Sequence, residues 1–514
     1  MSAIPNAATA NGGPKAKPTP APKVPYQLTP EQIARQEARK KLKARKAAEK
    51  KDEPLRSKEQ IEKGKFLLRT WVDLQQGSQD RQPDDAVRVM SWNILAQTLI
   101  RRDLFPGSDC LKWTDREQML ISELDAYAAD IICLQEVDRL ESLIPHIPTH
   151  KVTKAKGHRK RHGLVILHRD ALFEKLAEKT IYLDELEPRD SATEAEAEGK
   201  PPAWKRGGTR ETKNIGLLAC LKRKNGKGGV IVCTTHTFWH PMYLYERTRQ
   251  LGLLLRETAR FRKAGGWEDW PCIMAGDFNT QPFEPSYTLL RNPTSPLSPT
   301  QIADIQNSSV IHSSVINVRS PIQLDNSSSG TPEFVSPNSK PSDLSDDEEG
   351  DREGEAETEQ GGSRDAGLMK GCRRATEQDG LLSIDELRAL FAQSGIEPGC
   401  LLSLYDSCSG IERADGKDPL EGRSLESRRS ETEQNEKKEI LGSGEPNYTS
   451  YTPLWHLTLD YIFLLPPATR PDSPPKVIRY LLPHQVSDLE PGLPRKGISA
   501  SDHVIVAGDI LLHE

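Results

Sequence analysis

Five short segments of this chain concentrate carboxylates, amides and imidazoles at the ends of apolar runs: Ser91-Trp92-Asn93-Ile94-Leu95, Leu134-Gln135-Glu136-Val137, Thr234-Thr235-His236, Ala275-Gly276-Asp277-Phe278-Asn279 and Ser501-Asp502-His503. Leu459-Asp460-Tyr461 is a sixth. Such groups hold cations, move protons or orient water, and strand ends are rigid supports from which to present them. Taken singly, each has a plainer reading. A lone Glu136 is most often a surface or ion-paired acid, Asp-x-Asn occurs in many turns, and Asp502-His503 could be a simple orienting couple. His236 and His240 are four apart, as in a helical zinc pair, but no Glu follows His236 and residues 230–233 before it read as a strand, so zinc is not expected.

The elements that must carry these segments are legible in the periodicity. Residues 87–95, 131–134, 164–167, 215–221, 230–235 and 272–275 read as strands, with helices over 116–128 and 246–262, which makes a mixed α/β domain. The runs flanking 222–229 predict a hairpin with Asn225-Gly226 at its tip; this glycine-rich piece is a turn, because a phosphate-binding loop needs GK followed by Ser/Thr opening a helix. Residues 379–386 resemble the second half of a calcium loop, yet Ala375 stands where the first Asp ligand belongs, so 386–393 is read as a helix leading to the strip 401–405. Trp239 and Phe238 read as packing residues, with base stacking beside a cleft as the functional alternative.

Composition bounds the rest. With its 36 glycines the apolar fraction is about 42 %, below that of an ordinary globular domain, so part of the 514-residue chain is not expected to pack. Lys+Arg 70 against Asp+Glu 75 gives no global basic field, and any nucleic-acid surface has to be local. No membrane span or cleaved signal is expected, and eight cysteines without CxxC spacing indicate a reduced setting. Residues 1–28 are Pro/Ala/Gly-rich and read as disordered; residues 29–83 read as a basic helical arm and linker, with nine basic residues between 35 and 51 that suit a solvated helix, a nuclear localisation signal or an RNA-contacting arm. The folded domain is expected over 84–514, interrupted by disordered inserts at 291–379 and 412–443. The first insert carries ten acids against Arg352 alone between 343 and 359, with Ser342 and Ser345 ahead of an acidic run that would suit an acidic-directed kinase acting on 342–349.

The six segments in this order resemble the endonuclease/exonuclease/phosphatase superfamily. His162-Gly163, Asn214, Trp239-His240-Pro241, Pro282, Tyr287 and Glu445-Pro446-Asn447-Tyr448-Thr449 point to its nocturnin, angel and carbon-catabolite-repressor deadenylase branch, and Thr29-Pro30-Glu31-Gln32-Ile33-Ala34 with the basic arm makes the fungal Ngl-type RNA exonucleases the nearest likeness. The resemblance implies two mixed β-sheets packed face to face with helices on the outer faces, a four-layer α-β-β-α sandwich. It implies a Mg²⁺-dependent 3′-5′ RNA exonuclease, with Mn²⁺ as a substitute, in RNA processing such as rRNA 3′-end trimming, or in deadenylation. Its substrate would be single-stranded RNA 3′ ends, in the nucleus or nucleolus, the cytoplasm, or both. By the same likeness Glu136 holds the principal metal with Asn93 assisting, and Asp277, Asn279 and His503 belong to the metal set as well; Asp277 positions or deprotonates the attacking water, with a second metal as an option; Asn279 holds a phosphate oxygen; and His503 contacts the scissile phosphate, its tautomer fixed by Asp502 or another carboxylate. His236 faces the phosphate from the other side and Asp460 completes the shell, while His240 and Arg247 are weaker candidates. Hard oxygen donors suit Mg²⁺, which keeps several waters. The alternatives that share these residues are a phosphatase for a small phosphorylated metabolite such as NADP(H), a DNA endonuclease, and a non-catalytic RNA-binding scaffold.

Overall fold

The computed structural model describes residues 62–74, 86–189, 202–226, 228–316, 371–392, 401–409, 419–425 and 441–512. The expected disordered N-terminus, the basic stretch 35–51 and the acidic run 342–349 lie outside them.

Two sheets carry the fold. The first has the order β1-β16-β17-β2-β3-β5-β4, where β1 is Trp71–Asp73, β2 Ala86–Asn93, β3 Ile131–Val137, β4 His150–Ala155, β5 Gly163–Arg169, β16 Lys476–Leu481 and β17 Val506–Leu511. The second has the order β12-β15-β9-β8-β7-β6, where β6 is Phe173–Tyr182, β7 Ile215–Arg223, β8 Gly229–His236, β9 Cys272–Asp277, β12 Leu402–Ser403 and β15 Asp460–Leu465. In each sheet one parallel pair, β2/β3 or β8/β9, is flanked by antiparallel neighbours. Each parallel pair is joined by a crossover helix, α1 (Trp113–Tyr127) or α2 (Leu244–Ala264), as parallel strands require.

Strand alternation fixes the layers. Val87, Val89, Ile131 and Cys133 point inward from the first sheet and meet Val230, Val232, Ile273 and Ala275 from the second in one buried cluster. The alternate residues Met90, Trp92, Ile132 and Leu134 pack on Met119, Leu120 and Leu124 of α1. Ile231, Cys233, Cys272 and Met274 pack on Leu251, Leu254 and Leu255 of α2. The result is the expected four-layer α-β-β-α sandwich, and the hairpin at Asn225-Gly226 joins β7 to β8 as anticipated. At Gly276 a Cβ would sit 2.4 Å from the Thr235 carbonyl oxygen, so a bare Cα there lets β9 lie against β8 just before Asp277.

The chain does not leave the fold at Arg291. Helix α3 (Pro285–Arg291) is followed by α4 (Pro299–Asn307), whose start is a capping box of Ser298 with Gln301, and Val310–His312 pairs antiparallel with Cys372–Arg374. Buried Ile305 and Val310 hold this stretch, which its Ser/Pro/Asn content concealed. Within the second expected insert, Leu420 is buried in the inter-sheet core and the Arg423 carbonyl accepts from Asn447 N.

Candidate active site

The two parallel pairs end side by side, and their last residues converge with the start of β15 and the loop before β17. At the end of β2, Asn93 Nδ2 donates to Glu136 Oε1 at 2.9 Å and to Asp277 Oδ2 at 3.0 Å, while Asn93 Oδ1 accepts from Leu95 N. Glu136 sits where the β3/β5 register shifts, with φ +57°, and its Oε2 accepts from Ala96 N at 2.9 Å. An αL backbone at a non-glycine residue costs energy, and here it aims the carboxylate off the strand end.

From the second sheet, His236 lies in register with Asp277, and Asp277 in register with Asp460. His236 Nε2 is 3.5 Å from Asp277 Oδ2 and its Nδ1 is 3.9 Å from Glu136 Oε1. Asn279, also at positive φ, donates its backbone N–H to Asp277 Oδ1 and its Nδ2 to the Thr237 carbonyl. Asp460 N and Leu459 N both donate to Thr449 Oγ1.

The terminal loop closes the ring. Ser501 Oγ donates to the Asn93 carbonyl at 2.7 Å and accepts from His503 N, while Trp92 Nε1 donates to the His503 carbonyl. His503 Nδ1 meets Asp460 Oδ2 at 2.8 Å and its Nε2 lies 3.7 Å from Asp277 Oδ2. The carboxylate on the His503 ring is thus Asp460; Asp502 takes Ser501 Oγ at 3.3 Å and lends its carbonyl to Tyr451 N.

Burial disfavours charge on His503, but Asp460, Asp277 and Asp502 around it prevail and hold the imidazolium well above the usual histidine range. Burial pushes Asp460 up to about 6, with Asp277 adding and His503 opposing. Burial would likewise raise Glu136, yet His236, His162, Asn93 and Ala96 together hold it below the ordinary carboxylate value. Burial pushes His162 down to about 4, with Glu136 opposing.

The donors fit a hard divalent cation. Asp277 and Asp460 bring carboxylate oxygens within 4.8 Å of one another, and the His503 ring lies against both as an imidazolium, a proton donor and not a ligand. Asp460 Oδ1 is buried with no hydrogen-bond partner, an arrangement a cation would complete. Glu136 and Asp277, bridged by one Asn93 amide, supply further oxygens.

All the principal residues expected from sequence, Asn93, Glu136, His236, Asp277, Asn279, Asp460 and His503, come together. His240 caps the next turn, accepting from Met242 N, and Arg247 sits behind that loop, donating to the His240 carbonyl at 2.6 Å. Sequence reasoning missed Arg116, which is buried in α1 and donates to the Ala500 carbonyl at 2.7 Å, the Leu95 carbonyl at 2.7 Å and the Ile94 carbonyl, tying the Asn93 turn to the terminal loop. An arginine in a helix carries no mark of this. It also missed the recess beside Glu136 and His236, lined by Lys160, His162, Lys213 and Asn214, where Lys160 Nζ donates to Asn214 Oδ1 at 2.8 Å. The basic run Lys154-Ala155-Lys156-Gly157-His158-Arg159-Lys160-Arg161, from the end of β4 into the loop before β5, was the available signal.

Residues 90–343 match the sequence profile of the Endonuclease/Exonuclease/phosphatase family. A protein of Schizosaccharomyces pombe named "Probable RNA exonuclease C9B6.11c" is 34 % identical over 286 residues, covering 53 % of this chain and 52 % of its own length. RNA exonuclease NGL2 of Saccharomyces cerevisiae is 32 % identical over 228 residues, covering 39 % of this chain and 41 % of its own. The matched stretches thus span about half or less of these relatives. Among solved structures, ANGEL2, a 2′,3′-cyclic phosphatase, shows 17 % identity over 87 % of this chain and 99 % of that chain, with a TM-score of 0.48. Residues 90–343 thus resemble the endonuclease/exonuclease/phosphatase family and include four of the six motif segments, and the structure gathers all six at one end of the two sheets.

Proposed function

We propose that this protein is a Mg²⁺-dependent 3′-5′ RNA exonuclease that releases 5′-nucleotides and acts in RNA 3′-end processing, with Mn²⁺ able to substitute. The observation that carries the reading is the convergence of Glu136, Asp277, Asp460 and His503, with one buried Asp460 oxygen left unpartnered. The names of the fungal relatives supply the substrate class. The lysines of the recess beside Glu136 support a polyanionic substrate over a neutral one.

When bound, a divalent cation neutralises charge on the non-bridging and leaving oxygens of a phosphodiester and lowers the pKa of water. The reaction joins a water oxygen to phosphorus and breaks the bond to the 3′-oxygen of the penultimate nucleotide; the water proton passes to Asp277, and the departing 3′-oxygen takes up a proton. Held as an imidazolium by its three aspartates, His503 donates to a non-bridging oxygen. Asn279, fixed through its backbone to Asp277, offers its amide to the phosphate, and His236 faces that phosphate from the side of Glu136. Asp502 braces the terminal loop.

The test is a time course of purified protein with Mg²⁺ on 5′-labelled single-stranded RNAs ending in A-rich or U-rich tails, beside single-stranded DNA and NADPH, with Glu136→Ala as control. A ladder shortening from the 3′ end that vanishes in the variant supports the proposal and ranks rRNA-type trimming against deadenylation. Phosphate release from NADPH without RNA loss moves the assignment to a metabolite phosphatase. The basic stretch 35–51 is proposed to add sequence-independent phosphate contacts, so its deletion should weaken RNA binding and flatten the salt dependence; an unchanged slope removes that role. Action in the nucleus, nucleolus or cytoplasm, and phosphorylation within 342–349, complete the proposal.

A further inference from the structure

Three of the seven exposed large apolar side chains among the described residues lie on two loops beside the site: Trp239 (45 % exposed) and Met242 (43 %) after β8, and Phe283 (68 %) after β9. Trp239 follows His236 by three residues and Phe283 follows Asn279 by four. Both loops leave the same end of the parallel pair that delivers His236 and Asp277.

Neither loop is loose. Phe238 is buried and packs edge-on against Tyr243 at 5.0 Å, with the Arg210 guanidinium 5.3 Å from its ring. His240 accepts from Met242 N and stands edge-on to Tyr243, so its neighbour Trp239 is displayed from a fixed turn. On the other loop the Phe283 carbonyl accepts from Gln301 Nε2 at 3.1 Å, and Glu284 accepts from Thr280 Oγ1 at 2.8 Å. Arg247 joins the two, donating to the His240 carbonyl at 2.6 Å and reaching Glu284 Oε2 at 3.4 Å. An exposed aromatic, with only two side-chain torsions and carried on a backbone held by these bonds, loses little entropy when a planar partner settles on it. An apolar patch beside polar catalytic groups suits a ligand that is apolar on one face and anionic along its edge.

We infer that Trp239 and Phe283, with Met242 between them in the sequence, form a stacking platform for unpaired nucleobases of the strand whose phosphate enters the site. The inference rests on the proposed activity on single-stranded RNA. It adds that the enzyme holds its substrate by base planes as well as by phosphates, which makes binding tolerant of base identity, since every base has a π face, and intolerant of base pairing.

The test is binding of the full-length protein, in EDTA to prevent turnover, to a fluorescently labelled 12-nucleotide oligoadenylate and to the same strand with its 3′-terminal three residues abasic. Wild type should prefer the intact strand by about 5- to 150-fold per stacked base. The double substitution Trp239→Ala with Phe283→Ala should bring the two affinities close together, whereas Trp239→Phe should keep most of the preference. 2-Aminopurine near the 3′ end should be quenched by wild type and not by the double variant. A preference that survives in the double variant, or its absence in wild type, overturns the platform while leaving RNA cleavage intact as a separate reading. Failure of wild type to bind either strand overturns the platform, and, if RNA is also not shortened with Mg²⁺ present, the activity falls with it. Sedimentation that shows a wild-type dimer converted to monomer by the double variant also overturns it, because the patch would then be covered by a second copy.

Discussion

Each half of the site grows from a strand-helix-strand unit, β2-α1-β3 or β8-α2-β9, and in each the fourth residue of the crossover helix is a buried arginine, Arg116 or Arg247. Both capture carbonyls of the loop that follows the first strand, which has no ladder partner for them. The manner differs. Arg116 bonds through all three of its nitrogens, with Nε and Nη2 making short bonds at 2.7 Å, and reaches outside its own unit, to Ala500 in the terminal loop that presents His503. Arg247 has one short bond, to His240, longer ones to Pro241 at 3.5 Å and Glu284 at 3.4 Å, and a buried Nε with no partner. The first half is therefore cross-braced to the residue proposed to touch the scissile phosphate, whereas the second is stiff within itself and presents exposed aromatics. Similar local architecture serves alignment in one case and display in the other.

The sharpest attack on this picture is on the groups the two halves share. Glu136→Gln and Asp277→Asn should each lower phosphodiester hydrolysis by about 10³-fold or more, a loss in the range of a removed transition-state stabiliser. In thermal melts Mg²⁺ should raise the Tm of wild type, by linkage to a site that only the folded state offers, and raise it far less in either variant. A metal-induced shift that persists in both variants would place the cation elsewhere.

The arginines come next. Arg116→Met strands three buried carbonyls at once, and about 3–5 kcal/mol of stability should be lost, together with kcat as His503 drifts. Arg247→Met removes weaker bonds and an unsatisfied Nε, so about 1–2 kcal/mol is expected, with the effect on hydrolysis seen mainly in KM. Urea melts with steady-state kinetics on the two variants decide this, and equal losses in both would erase the distinction between bracing and display.

What the sequence made legible follows the same division. Asn93, Glu136, His236, Asp277, Asn279, Asp460 and His503 lie at or just beyond the ends of apolar runs, and it was the resemblance of the six segments in this order to one family, together with their chemistry, that identified them. The Asp460–His503 pairing was harder to assign, because residues 43 apart meet only through β15 and the terminal loop, and adjacency favoured Asp502. Arg116 and Glu123 were invisible because a charged residue in an amphipathic helix reads as solvent-facing unless the loop it serves is known. The polar stretch 299–312 was misread because Ser, Pro and Asn signal disorder by composition, yet one capping box and the buried Ile305 and Val310 suffice to hold it. Lys160 and Lys213 are 53 residues apart in sequence and meet only as walls of one recess.

The last expected effect is a change in the slope of stability with pH and concerns the buried acids of the two crossover helices. Glu246 in α2 accepts from Thr209 N and Oγ1 and is ion-paired to Arg249 at 2.8 Å. Glu123 in α1 does the corresponding task for the terminal loop, accepting from Ala500 N at 3.2 Å and Ser499 Oγ at 3.3 Å, but these donors are neutral. Burial accordingly pushes Glu123 up to about 8, with Ala500, Arg69 and Ser499 opposing only in part. The folded state then holds a proton that the unfolded chain, titrating near 4.5, has released. Stability from this group is complete below about pH 4.5 and declines as pH rises toward 8, by up to about 1.4 kcal/mol per pH unit. Glu123→Gln keeps the acceptor and cannot ionise, so its Tm should fall less than that of wild type between pH 5 and 8, and the variant should be the more stable protein at the alkaline end. Glu246→Gln should do the reverse, because it leaves the Arg249 guanidinium buried without its counter-charge and lowers Tm at every pH in that range. Melts of the three proteins at pH 5, 6, 7 and 8 make the comparison, and parallel wild-type and Glu123→Gln curves would mean that Glu123 is ionised in the fold and that the terminal loop is held by charge as the second half is.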